Sequence, residues 1–117
     1  MKLAVIGSRT FDNYELLFKV LSNYVAYTNF SLDEIVSGGA KGTDSLAAKY
    51  ARETRIKLTE FIPDWDRYGK SAGPKRNAQI IQACDECVAF WDGLSPGTKS
   101  SINLCKKYNK PVHIYWI

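Results

Sequence analysis

Glu34-Ile35-Val36-Ser37-Gly38-Gly39-Ala40-Lys41-Gly42-Thr43-Asp44 is the stretch on which the fold turns. Four residues rich in β-branched and apolar side chains read as a short strand, and the glycines that follow let the backbone turn sharply. Leu46, Ala47, Tyr50 and Ala51 then recur at helical spacing. A strand, a glycine turn and a helix therefore follow one another within about twenty residues, which is the opening half of a parallel β-α-β unit.

Outward from this stretch the alternation repeats. Leu3 to Ile6, Lys57 to Ile62, Glu86 to Trp91 and Val112 to Trp116 read as further strands. Leu16, Leu17, Val20, Leu21, Tyr24 and Val25 share one helical face, and Asp12-x-x-Glu15 before them resembles a capping box. Gly73-Pro74 starts a third helix carrying Ala78 and Ile81, and Ile102, Cys105 and Tyr108 mark a fourth. Strands separated by helices demand long crossovers, hence a parallel sheet with helices on both faces. The expectation is a three-layer α/β/α, Rossmann-like domain over residues 1–117 with a five-stranded parallel sheet. The most apolar strands, Leu3 to Ile6 and Cys87 to Trp91, belong at the centre, and the charged Lys57 to Ile62 suits an edge. That favours the strand order 3-2-1-4-5 over its rival 2-1-3-4-5.

Composition bounds the rest. A chain of 117 residues, 45% hydrophobic and 24% charged, has enough apolar material for one core, which excludes wholesale disorder. No run approaches the roughly 20 apolar residues needed to span a bilayer, and Met1 to Gly7 reads as a strand rather than a leader. The three cysteines cannot all pair, so a reducing cytoplasm is the expected setting. A net charge of +4 permits an acidic ligand without requiring nucleic acid. Tyr24, Tyr27 and Phe30 cluster at the end of the first helix, as an interface between copies or as a packed helix end.

In a doubly wound sheet ligands bind beyond the carboxyl ends of the strands. The loops at that end are Gly7-Ser8-Arg9-Thr10-Phe11, Gly38 to Asp44, Pro63 to Asn77, and Asp92 to Thr98. The loops at the other end are short and hold no glycine, so glycine, hydroxyl and basic groups gather on one edge. Gly38, Gly39, Gly42 and Thr43 lead into a helix start that favours an anion, and Ser95, Gly97 and Thr98 repeat the arrangement. The plainer reading is that the glycines only turn the chain while Thr43 and Ser95 only cap helices. Gly7, Ser8 and Arg9 close the first strand, while Arg76 and Asn77 sit in the first turn of the third helix. Arg9 and Arg76 would neutralise phosphate, and Trp65 would cover a base or ribose. The G-x-G-x-x-G of dinucleotide folds and the Gly-Lys-Ser/Thr of a P-loop are both missing.

Gly7 to Phe11, Ser37 to Asp44, Asp64-Trp65, Ala72-Gly73-Pro74-x-Arg76-Asn77 and Ala89 to Thr98, taken in order, resemble the SLOG superfamily. That superfamily includes the DprA and LOG groups, and the match is closest to its small branch related to YspA and YpsA. The resemblance implies a nucleotide or nucleotide-derived ligand held by the two glycine loops, as in a cytoplasmic bacterial or phage sensor. Some relatives are phosphoribohydrolases with a Pro-Gly-Gly-x-Gly-Thr-x-x-Glu motif. Here Leu94-Ser95-Pro96-Gly97-Thr98-Lys99-Ser100-Ser101 puts a serine where the catalytic glutamate would fall.

If the protein is an enzyme, Asp44 and Asp92 are the carboxylates within reach of that edge, and hydrolysis would bring in Mg²⁺ as the one expected cofactor. Each also has a local alternative, Asp44 beside a helix dipole and Asp92 in a turn. A third reading has the basic loop Arg67, Lys70, Lys75 and Arg76 docking nucleic acid or an acidic protein. Cys84-x-x-Cys87 lacks partners enough for zinc and reads as core, and His113 on the last strand lies away from the ligand edge.

Overall fold

A computed structural model describes residues 1–28 and 31–117, so Phe30 lies outside the described residues. Five strands, β1 (Lys2–Gly7), β2 (Glu34–Ser37), β3 (Lys57–Glu60), β4 (Glu86–Trp91) and β5 (Val112–Trp116), form one parallel sheet in the order β3-β2-β1-β4-β5. The order is the expected one. Ala4 pairs with Val36 on one side and Cys87 on the other, which fixes the register of the three inner strands.

Side chains alternate across each strand, so the two faces of the sheet build separate cores. Leu3, Val5, Ile35, Val88 and Phe90 pack against α1 (Tyr14–Thr28) and α2 (Thr43–Thr54) through Leu17, Leu21, Tyr50 and Ala51. Ala4, Ile6, Val36, Cys87 and Ala89 pack on the other face against Ile80, Ile81, Ile102 and Cys105. The last four residues come from helices Ala72–Ala83 and Pro96–Lys107. All three cysteines are free and buried, Cys84 and Cys105 on these helices' side of the core. Tyr24 is buried while Tyr27 stands in solvent, so the helix end is only half packed. Among the described residues no helix is long and apolar enough to cross a membrane.

Three local features differ from expectation. The first helix begins one residue later, and Asn13 rather than Asp12 caps it, its Oδ1 accepting from Leu16 N at 3.1 Å. β3 stops at Glu60, not Ile62, because β2 ends at Ser37 and offers only one more carbonyl, which accepts from Phe61 N at 2.9 Å. The long third loop is not irregular throughout. It folds into a single-turn helix α3 (Trp65–Tyr68), capped by Asp64 through Arg67 N at 3.2 Å, then a 3-10 turn (Gly69–Ser71). The next helix, α4, starts at Ala72, and α5 starts at Pro96, where the missing N–H costs nothing.

Candidate functional site

β1 and β4 lie side by side, yet their chains leave the sheet toward opposite faces, which opens a crevice at their carboxyl ends. The crevice is a cleft of about 440 Å³. Gly7, Ser8, Arg9 and Thr10 line it from β1, Ala40 and Asp44 from the second loop, and Arg76, Asn77 and Ile80 from α4. Asp92, Ser95, Pro96, Gly97, Thr98 and Ser101 form the opposite wall.

The first two loops are clamped to each other. Thr43 donates its hydroxyl to Ser8 O at 2.9 Å, and its amide reaches the same oxygen at 3.2 Å. Gly42 has φ +70°, a conformation disfavoured for side-chain residues, and a Cβ there would come within 2.2 Å of the Arg9 carbonyl oxygen. Gly42 and Thr43 are thus spent on shaping the floor and do not face the cleft. Gly39 packs against Ile62, again outside the lining.

Gly38 makes room for Arg76. A Cβ at 38 would stand 2.3 Å from Arg76 Nη1, which instead donates to Gly38 O at 2.7 Å. Arg76 Nε donates to Asn77 Oδ1 at 3.0 Å. Arg76 is 8% exposed, and among the described residues no carboxylate comes within 4.0 Å of its guanidinium. Burial pulls its pKa down, and nearby Asp44 pulls it back up. Asp44 is itself buried, which raises its pKa, while the Ala40 amide at 3.1 Å, Ser37 and Arg76 counteract the rise. The hydroxyls of Ser8 and Ser37 are buried with no partner in bonding geometry among the described residues.

On the far wall Asp92 Oδ1 accepts from Leu94 N and Ser95 N, both at 2.8 Å. These two amides depress its pKa, so Asp92 is an ionised brace for the loop. Trp91 Nε1 donates to Ser95 O at 3.1 Å, and Trp116 stacks on Trp91 with centroids 5.2 Å apart. Ser95 makes no side-chain cap to α5, which leaves the Gly97 and Thr98 amides of its first turn without a capping acceptor among the described residues. A Cβ on Gly97 would meet nothing within 4 Å, so packing does not require a glycine there.

The cleft therefore gathers Gly7, Ser8, Arg9, Asp44, Arg76, Asn77, Asp92, Ser95, Gly97 and Thr98 from the expected set. Gly38, Gly39, Gly42 and Thr43 stand behind it, and Trp65 stands apart, half-exposed, its ring 3.5 Å from where a Gly73 side chain would begin. Ile80 was missed, and Ser101 was noted only as standing at the place of a glutamate, although each lies three residues beyond a nominated position on the same helix face. His113 pairs with Glu86 at 3.3 Å at the amino end of β4, far along the strand from Asp92.

Comparison with known proteins gives this geometry a setting. A phage protein, the Gene 61 protein of Mycobacterium phage D29, is 30% identical over 117 residues, spanning 95% of this chain and 93% of its own. Among solved structures, DNA processing protein A (DprA) from Streptococcus pneumoniae aligns over 97% of this chain with a TM-score of 0.74 and 22% identity. The chain spans 49% of that protein. DprA from Helicobacter pylori, solved to describe its single-stranded DNA binding mode, aligns with a TM-score of 0.73 at 23% identity. There the chain covers 64% of the larger protein, so what is shared is the fold. Residues 1–68 match the model of the YspA, cpYpsA-related SLOG family. By that match and by the full-length phage relative, the chain belongs to the YspA, cpYpsA-related SLOG family.

Proposed function

We propose that this protein binds a nucleotide or nucleotide-derived small molecule in the cleft beyond β1 and β4, and holds it without cleaving it. One observation carries the reading. The Arg76 guanidinium is buried, lines the cleft and has no carboxylate in ion-pair contact among the described residues. A buried charge is costly unless something pairs it, and a phosphate is the group whose geometry suits a guanidinium. The uncapped start of α5 supplies donors on the same lining.

Several features favour binding over hydrolysis. Ser101, at the place of the glutamate in cleaving relatives, lines the cleft with a hydroxyl. Asp92 is committed to two loop amides, and Asp44 to the Ala40 amide. The two amides hold Asp92 below the usual carboxylate range, which makes it a weaker base toward water. Calorimetry against nucleoside mono-, di- and triphosphates and cyclic nucleotides tests the proposal. The expected result is one-to-one binding that Arg76→Met abolishes, with every ligand recovered intact on chromatography after incubation with Mg²⁺. No heat across the whole panel would overturn it, and recovered free base or released phosphate would establish the hydrolase alternative.

Single-stranded nucleic acid is a second reading, favoured by the subject of the Helicobacter pylori DprA structure. It differs in requiring more than one nucleotide unit and a steep loss of affinity with salt.

A further inference from the structure

α4 separates the ligand cleft from a second one. This second cleft, about 450 Å³, lies between the outer flank of α4 and the turn that leaves β3, and Arg76 lines both. Asn77 and Ile80 face the first cleft, whereas Lys75 and Gln79 face the second. Arg67 and Lys75 also line the second cleft, and both are positioned by the same ring. The Arg67 guanidinium carbon is 5.0 Å and Lys75 Nζ 4.7 Å from the Tyr68 centroid. Cation–π contacts of this kind hold long, exposed side chains in place. The one acid in the lining, Asp64, is engaged in capping α3. The second cleft is therefore a basic pocket of nucleotide size whose border is the same arginine that the first cleft presents to an anion.

Resting on the nucleotide reading of the first cleft, we infer that the ligand is two nucleotide units joined by a phosphate linkage. One unit occupies each cleft, and the second phosphate lies against Arg67 and Lys75. Arg76 serves the junction, because it is the residue that the linings of the two clefts share. A linked pair of this kind comes either as a free dinucleotide or as part of a single strand. Arg67 and Lys75 are exposed, so substituting them leaves the core untouched.

The test measures three probes by fluorescence competition: a nucleoside 5′-monophosphate, the 5′-phosphorylated dinucleotide, and a twelve-residue single-stranded DNA. The dinucleotide should bind at least about tenfold tighter than the monophosphate. The Arg67→Glu/Lys75→Glu double variant should erase that gain while leaving monophosphate affinity unchanged. A further large gain with the twelve-mer assigns the linkage to a strand, and a plateau assigns it to a free dinucleotide. Equal affinity for mono- and dinucleotide with an unaffected double variant overturns the inference and leaves the first cleft standing. Failure of the monophosphate and both longer probes overturns the reading of the first cleft itself.

Discussion

Arg76 Nη1 lies 2.7 Å from the carbonyl oxygen of Gly38, in the space that any side chain on residue 38 would occupy. Two residues far apart in sequence thus share one volume, and the smaller exists so that the larger can reach across. The clash that a Gly38→Ala change creates is with the tip of a flexible side chain. The fold should survive at a cost of about 1–2 kcal/mol for the displaced hydrogen bond. Nucleotide affinity should fall as far as in Arg76→Met. Calorimetry on both single variants and the double checks this, since loss of one shared function predicts strongly non-additive effects.

Gly97 makes the opposite prediction. A side chain there meets open space rather than protein, so Gly97→Val should melt within a few degrees of the parent. Its bulk would project where a ligand must approach the first amides of α5, and affinity should drop about tenfold, ~1.4 kcal/mol. A melting curve beside a binding isotherm separates the two effects.

Gly42 should not tolerate replacement at all. Its φ of +70° and a 2.2 Å approach to the Arg9 carbonyl oxygen set a backbone against a backbone. Gly42→Ala should lose about 3 kcal/mol, combining left-handed strain with a contact that only main-chain movement relieves. Urea titration is the measurement, with an unchanged midpoint as the contrary result.

Asp44 predicts a pH dependence. Burial lifts its folded-state pKa above the ordinary 3.8, so the folded chain holds this proton more tightly than the unfolded one. The stability it contributes is complete below pH 3.8 and is lost as pH rises through the folded value. Asp44→Asn, which keeps an acceptor for the Ala40 amide, should therefore be the more stable protein at pH 7. The gap should close as pH falls toward 4, read from denaturation midpoints across that range.

The sheet was legible in the sequence because its evidence is local. Apolar runs such as Leu3 to Ile6 and Cys87 to Trp91 declare burial on both faces, and charges in Lys57 to Glu60 declare an edge. The edge on which the cleft opens was legible too, since glycine is missing from the loops of the other side and hydroxyl groups are concentrated on this one. What each glycine does was not legible. Gly42 answers to Arg9 and Gly38 to Arg76, across 33 and 38 residues of chain, while Gly97 answers to nothing. The roles differ only through what stands opposite in space. Trp65 shows the same limit, because whether an aromatic in a long loop overhangs a cleft depends on the two short turns that the loop itself makes. The shift of the first cap from Asp12 to Asn13 is smaller in kind, a choice between adjacent residues that both suit the position.

The indole of Trp91 is tied to Ser95 O at the mouth of α5 and lies face to face with Trp116, its neighbour on β5. Any molecule that settles on the first turn of α5 presses on the support of this pair. The chain accordingly carries its own optical probe, and a Trp65→Phe version would leave the stacked pair as the only tryptophans. Occupancy could then be followed, in real time and without a dye, from the colour and intensity of their light.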